Sequence, residues 1–332
     1  AVFTNTRSGG IQVLSDQPIL FSDPAFYNSQ YGYTYLNGYI VGPGTDLSGS
    51  DFSGVSISAV DVSGANMTNV RLTSIRSSDI AGQPKPGAIT TGYKVTARHF
   101  IGPGLDMSGY DFTNGDFSGS DISGSDLTNA VFTNTLSGNV SGTPTSIKFT
   151  TTTEPVNIKY QLSLGYIVGP SVDLTNSDLS GVDVSGINLS GATFYNSKSG
   201  KVAHSPLTML PTNYGFIGDY IVGPNVNLSM VDFSGADLRY TNLTNVNFGS
   251  ANLYNVKSGN ITGTPAQLPP TFSFVSGFII GPGTDLSGAD LSGGNLGGCN
   301  INGADLTNAS FYNVLSGGVQ GTPRLPLTAP YR

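Results

Sequence analysis

The sequence has no tryptophan, one cysteine (Cys299), one glutamate (Glu154) and two histidines (His99 and His204). A single cysteine excludes an internal disulfide framework. Zinc sites need more nitrogen and sulfur ligands than this, and no His-x-x-x-His or Cys-x-x-Cys spacing occurs. Charged residues are only 11% of the chain, and the net charge is −7. That argues against generic nucleic-acid binding, which needs a basic face. No apolar run approaches the ~18 residues of a membrane-spanning helix. What remains is dominated by Gly, Ser, Thr, Asn and Asp, yet 38% of residues are hydrophobic, too many for a disordered chain.

Written in fives, the sequence shows its order. An apolar residue falls at every fifth position in five blocks: Leu47 to Leu72, Met107 to Phe132, Leu174 to Phe194, Leu228 to Leu253 and Leu286 to Phe311. Leu47, Phe52, Phe112, Phe117, Leu179, Phe233, Leu238, Leu291 and Leu306 represent these core centres. A period of five fits neither a helix nor a flat strand, so the wall must bend once per repeat. Two residues before each centre stands a small or β-branched side chain, such as Ala65, Ala130, Val182 or Ala304, which should point inward beside it. Asp or Asn usually precedes the centre, and Ser, Thr, Gly and Asn follow it, as tight turns require.

The stretches GADLSGGNLGG and FSGADLRYTNLTNVNF resemble pentapeptide-repeat proteins. The resemblance implies an all-β fold, a right-handed quadrilateral parallel β-helix with four pentapeptides per coil. Here inserted connectors would interrupt it between blocks.

Recurrent signatures frame the blocks. GYIVGP or a variant precedes each, and Ser-Gly follows most of them, at Gly138, Gly200, Gly259 and Gly317. Last-to-first centre distances of 35, 42, 34 and 33 residues confine the variation to connectors. The expected organisation is 1–12 as the last coil of a truncated preceding block and 13–37 as a connector. Block 1 covers 38–82, then a connector 83–97; block 2 covers 98–144, then a connector 145–164. Block 3 covers 165–206, then a connector 207–218; block 4 covers 219–265, then a connector 266–276. Block 5 covers 277–323, and 324–332 starts a further connector. A block of five or six pentapeptides makes about one and a half coils and cannot bury a core alone, so blocks should stack. Apolar connector runs such as FSFVSGFII suggest that connectors form part of the coil wall. AVFTNTRSGG at the start matches the ends of later blocks, which suggests a segment of a longer array.

No catalytic constellation emerges. Sixteen of the 21 acids precede a centre, including Asp106, Asp111, Asp116, Asp121 and Asp126. Such a ladder could hold cations or mimic DNA phosphates. The alternation with Asn242, Asn247, Asn252, Asn295 and Asn300 instead marks a turn-bonding role. Cys299 takes the inward small position of Ala289 and Ala304, and no neighbouring base would activate it. No catalytic, cofactor or metal residue is assigned, and no cofactor is expected. Sequons such as Asn66 and Asn308 follow from the repeat itself. Tyr195, Tyr254 and Tyr312 follow the last centres and should face outward. With Tyr166 and Tyr220 of the connector signatures they are candidate partner contacts, or clamps of connector on coil.

These features suggest a non-catalytic structural protein: a rigid rod segment of a longer array in a virion or at a cell surface. Its partners would be protein neighbours, other subunits or further repeats of the same chain, with no nucleic acid and no membrane span. The resemblance offers a rival, an acidic DNA mimic that binds a type II topoisomerase and would be cytoplasmic. A carbohydrate-binding or carbohydrate-active β-helix, with a glycan partner, is the third reading.

Overall fold

Nearly every pentapeptide folds into the same four-residue turn. The N–H of Ser50 donates to the Leu47 carbonyl at 3.0 Å, Val55 to Phe52 at 3.0 Å and Ala130 to Leu127 at 3.1 Å. The third residue of each turn is left-handed: φ is +72° at Gly49, +57° at Asn69 and +60° at Asn114. Positive φ at that place alone makes the turn type II, which is why Gly and Asn fill it in most repeats, with Ala59, Ser74, Met230, Tyr240 and Ser250 among the exceptions. In the computed structural model, which describes residues 7–9, 33–145 and 160–324, parallel bridges then join residues twenty apart. Asp46 pairs with Asn66, Asp51 with Arg71, Asp106 with Asp126, Asn227 with Asn247 and Asp285 with Asp305. Four pentapeptides therefore close one square coil. Among the described residues there is no helix.

The interior is apolar and aromatic-rich. None of the nine representative centres is more than 3% exposed. Phe112 meets Phe117 edge-on at 4.8 Å and stacks with Phe132 at 5.7 Å. Ala65, Ala130, Val182 and Ala304 are buried beside them.

The strands are short, three residues each. Hairpin 1 is β1 (Thr34–Leu36) with β2 (Tyr39–Val41). β3 (Ser56–Ser58) and β4 (Arg76–Ser78) are parallel coil walls. Hairpin 2 is β5 (Lys94–Thr96) with β6 (His99–Ile101), and hairpin 3 is β7 (Gln161–Ser163) with β8 (Tyr166–Val168). Hairpin 4 is β9 (Gly215–Ile217) with β10 (Tyr220–Val222), and hairpin 5 is β11 (Ser273–Val275) with β12 (Phe278–Ile280). All five hairpins are antiparallel with two-residue turns. Four turns have both residues left-handed, as at Asn37-Gly38 and Ser276-Gly277, the form that matches strand twist. The run FSFVSGFII is thus a hairpin rather than a coil wall, because its central Ser-Gly reverses the chain. Wall segments do occur in connectors, but elsewhere: Ile89 pairs with Met67, Met209 with Asn188 and Gln267 with Asn247.

The chain divides into two units, Ala1–Asp173 and Leu174–Arg332. Within the first, the Ser74 N–H donates to Gly104 at 2.7 Å and Asp106 to Ile75 at 3.2 Å, so block 2 resumes the stack that block 1 leaves. Within the second, Asn196 donates to Asn225 at 2.7 Å and Asn255 to Gly283 at 2.7 Å, with the same result. The expected coil at 1–12 and connector at 13–37 lie largely outside the described residues, as do parts of 145–164 and 324–332. Arg7, which is described, pairs in parallel with Asp46.

Candidate functional site

The connectors hold the least uniform surface, and a repeated socket fixes each hairpin. The serine that follows a block accepts an N–H from the second hairpin strand. Ser8 Oγ takes Ile40 at 2.8 Å, Ser77 Oγ takes Phe100 at 2.9 Å and Ser137 Oγ takes Ile167 at 3.0 Å. Ser199 Oγ takes Ile221 at 3.0 Å and Ser258 Oγ takes Ile279 at 2.9 Å. The next residue is Gly wherever an aromatic ring lies against it: Tyr39 at Gly9, Tyr166 at Gly138, Tyr220 at Gly200 and Phe278 at Gly259. In hairpin 2 the pair becomes Ser78 and His99, and the imidazole stacks on Tyr110 at 4.2 Å instead. Three residues past Ser77, Ser137, Ser199 and Ser258, the N–H of Ile80, Val140, Val202 or Ile261 donates to the carbonyl of the second turn residue.

A second device ties the hairpin to the block that follows. The hydroxyls of Tyr33, Tyr93, Tyr160 and Tyr214 donate to the carbonyls of Pro43, Pro103, Pro170 and Pro224 at 2.8–3.1 Å. Their rings lie on Gly42, Gly102, Gly169 and Gly223, where a Cβ would come within 2.1–2.3 Å. Phe272 covers Gly281 in the same way. Sequence reasoning missed these aromatics, although their constant ten-residue distance from the signature Pro was there to be read.

The acids are structural. Oδ1 of the Asp or Asn before each centre accepts the N–H two residues on, as in Asp46–Ser48 at 3.0 Å, Asp111–Thr113 at 2.9 Å and Asn242–Thr244 at 3.0 Å. Asp46, Asp111, Asp178, Asp290 and Asp305 lie below the ordinary carboxylate range, first through the following Ser or Thr hydroxyl and then through that N–H. Since a coil is twenty residues, the run Asp106 to Asp126 encircles the coil and stacks only its two ends. Bases attend such stacks: Arg76 binds Asp106 at 2.7 Å, while Lys257 and Arg324 flank Asp285 and Asp305 at 3.6 and 2.9 Å.

Other chemistry-bearing groups are equally engaged. His99 Nδ1 lies 2.6 Å from the Ser77 carbonyl, and burial holds its pKa below the usual value. The Tyr110 hydroxyl accepts the Ser77 N–H, and Arg76 sits 5.4 Å from the Tyr110 ring centre. His204 stacks flat on Phe216 at 3.8 Å, and its Nε2 contacts the Gly218 carbonyl at 3.2 Å. Cys299 is buried. Among the described residues no three His, Cys, Asp or Glu are placed to hold a metal ion, and no helix is long and apolar enough to cross a membrane.

Of the candidate contacts, Tyr195, Tyr254 and Tyr312 are exposed at 61%, 56% and 76%. Tyr166 and Tyr220 are half-buried, and Tyr220 packs on Phe233 at 4.9 Å. An open cleft of about 450 Å³ runs between hairpin 4 and block 4, lined by Ile217, Tyr220, Asp232, Phe233 and Asp237 among others.

A family model described as pentapeptide repeats matches residues 44–73, 104–135, 171–198, 225–257 and 283–314. The chain belongs to the pentapeptide-repeat family. As a pentapeptide-repeat protein it is a right-handed quadrilateral β-helix, and each matched segment lies inside one of the five blocks. Among solved structures it is similar to HetL, a pentapeptide-repeat protein involved in heterocyst differentiation regulation from the cyanobacterium Nostoc sp. strain PCC 7120. That likeness is 16% identity over 83% of this chain and 84% of that one, with a TM-score of 0.13. It is also similar to QnrB1, a plasmid-mediated fluoroquinolone resistance protein. A trypsin-treated form gives 15% identity, 82% and 89% coverage and a TM-score of 0.16, and the full-length form gives 14%, 83%, 91% and 0.14. Such values carry no argument about function. The comparison with curated proteins found no match.

Proposed function

We propose that this pentapeptide-repeat protein is a non-catalytic scaffold in a virion or cell-surface assembly. Its hairpins and outward tyrosines make contacts with neighbouring proteins. One observation carries the reading: the groups that chemistry would need hold the fold together, while the hairpins are presented again and again by one socket. Carboxylates accept turn N–H groups, histidines stack on aromatic rings and the thiol is buried. Tyr195, Tyr254 and Tyr312 leave apolar rings with polar tips in solvent, the kind of side chain that enriches protein interfaces.

The arrangement of acids favours a scaffold over DNA mimicry. A phosphate-like stripe needs uncompensated charge along one face, whereas Asp106, Asp285 and Asp305 each face a base. A supercoiling assay with a type II topoisomerase decides between them. The scaffold reading expects no inhibition at micromolar protein and recovery of the native chain in particle or envelope fractions. Potent inhibition, with the chain in the cytosol, would overturn it.

A further inference from the structure

Hairpin 4 stands off the coil that follows it, whereas hairpins 1, 2 and 5 close on theirs. In hairpin 1 the Asn37 amide donates to the Asp51 carbonyl at 2.8 Å. In hairpin 2 the Thr96 hydroxyl accepts the Asp116 N–H at 2.7 Å. Lys94 Nζ also reaches across, to the Ser118 carbonyl at 2.9 Å and to Asp116 at 3.6 Å. Hairpins 2 and 5 press on a glycine: a Cβ on Gly115 would lie 3.4 Å from Ala97, and one on Gly294 3.2 Å from Val275. In hairpin 4, Gly215, Ile217 and Gly218 stand where hairpin 2 has Lys94, Thr96 and Ala97, and Ala236 stands where block 2 has Gly115. No hydrogen bond among the described residues joins those three to the wall between Asp232 and Arg239. The turn is held by block 3 instead, where the Val202 N–H donates to the Asp219 carbonyl at 3.1 Å and His204 meets that of Gly218. The gap left is the cleft of about 450 Å³.

The cleft carries one unanswered charge. Asp237 is met by its own Arg239, at 2.5 Å. Asp232 has no such base: its Oδ1 accepts the Ser234 N–H at 2.9 Å and the Asn252 amide at 3.0 Å, and no lysine or arginine pairs with it among the described residues. Between the two acids lie the apolar surfaces of Ile217, Tyr220 and Phe233. The Asp237 N–H, counterpart of the bonded Asp116 N–H, has no partner among the described residues. An acid, an apolar floor and a backbone donor fit one basic residue of an extended chain. The acid takes the cationic head, the floor takes the methylene stem and the N–H takes the carbonyl. Hairpin 2 shows the fit within this chain, since Lys94 lays a basic side chain between hairpin and wall, where hairpin 4 has only Gly215. We propose that this cleft binds an arginine-bearing segment of a neighbouring protein. Arginine suits it better than lysine because a planar fork can bind a carboxylate by two N–H groups. Exposed Tyr254, whose carbonyl accepts the Gly235 N–H at 2.9 Å, stands beside the cleft and adds an aromatic surface for the same segment. The inference rests on the scaffold reading and deepens it by naming the partner's chemistry and the surface.

Titration calorimetry of the 332-residue chain with the peptide Ac-Leu-Arg-Leu-amide, and with its glutamine and glutamate counterparts, tests this. The arginine peptide should bind, the glutamine peptide at least about tenfold more weakly, and the glutamate peptide not at all. Asp232→Asn keeps an acceptor for the Ser234 N–H, so its melting should match wild type while the arginine peptide binds at least about tenfold more weakly. Ile217→Thr combined with Ala236→Gly copies hairpin 2, and should close the cleft and remove binding. The proposal is overturned by a chain that binds no peptide, that binds all three alike, or whose binding survives both variants. Binding of cellohexaose or chitohexaose in place of the peptides would overturn it too, by assigning the cleft to carbohydrate. Such failures leave the scaffold reading standing. Topoisomerase inhibition with the chain in the cytosol would instead overturn that reading and leave any peptide binding measured here in place.

Discussion

Ser258 and Ile279 bind each other twice: Ser258 Oγ accepts the Ile279 N–H at 2.9 Å and lies 3.2 Å from the Ile279 carbonyl. Both residues are buried, so the hydroxyl is the acceptor that a desolvated strand N–H requires. Ser258→Ala should cost about 1–3 kcal/mol, since the N–H is left buried without a partner. Urea unfolding reads the loss, and hydrogen exchange should quicken most at the Ile279 amide. Unchanged exchange there would show that the serine does not hold the hairpin.

Gly223 and Gly215 sit in one hairpin region and should respond differently to alanine. A Cβ on Gly223 falls 2.3 Å from the Tyr214 ring, whereas one on Gly215 meets nothing within 4 Å. Gly223→Ala should destabilise by about 1–3 kcal/mol through overpacking. Gly215→Ala should lie within about 0.5 kcal/mol of wild type. Equal melting temperatures for the two variants would contradict the ring-on-glycine contact.

Asp111 should be replaceable by Asn but not by Ala. Its Oδ1 accepts the Thr113 N–H at 2.9 Å and the Thr113 hydroxyl at 2.5 Å, and an amide oxygen can accept both. Asp111→Ala should lower stability by about 0.5–1.5 kcal/mol, the ordinary worth of such a bond, with Asp111→Asn near wild type. The carboxylates as a set predict a pH limb. Asp46, Asp111, Asp178 and Asp305 are depressed in the folded chain. The stability they contribute is present above the unfolded value of about 4 and is lost as pH falls through the folded values. Melting followed from pH 5 to pH 2 should show that decline, reduced in a chain with several of these acids changed to Asn.

His99 predicts a separate limb at higher pH. Burial against Tyr110 and Phe112 depresses its pKa, opposed by the Ser77 carbonyl and by Asp79 and Asp111, with Arg98 adding to the depression. For a base held neutral by the fold, the unfolded chain takes the proton first. Stability is therefore full above about 6.5 and falls as pH drops from there to the folded value. Between pH 7.5 and 5.5 the wild-type melting temperature should drop, whereas His99→Gln, less stable overall, should stay flat. Parallel profiles would assign the drop to another group.

The local part of this molecule was written in the sequence. The five-residue period, Gly or Asn at the left-handed turn position and Asp or Asn before each centre all concern residues within five of one another. Each responds to a turn whose geometry is nearly independent of the rest, so Phe52, Phe117 or Leu238 could be placed in the core by spacing alone. Two of the hairpins were legible in principle, since Asn37-Gly38 and Ser276-Gly277 break their apolar runs. Apolarity taken by itself pointed to coil walls. Only the tertiary structure decided which residues share a face. Coil closure every twenty residues spreads the Asp106–Asp126 run around the coil and sets Arg76, Lys257 and Arg324 beside the acids that stack. It also brings Ser258 to Ile279 and Tyr214 to Pro224 and Gly223, contacts that need a reversed chain to meet a finished wall. Short-range turn chemistry made the coil, and long-range closure determined what the coil displays.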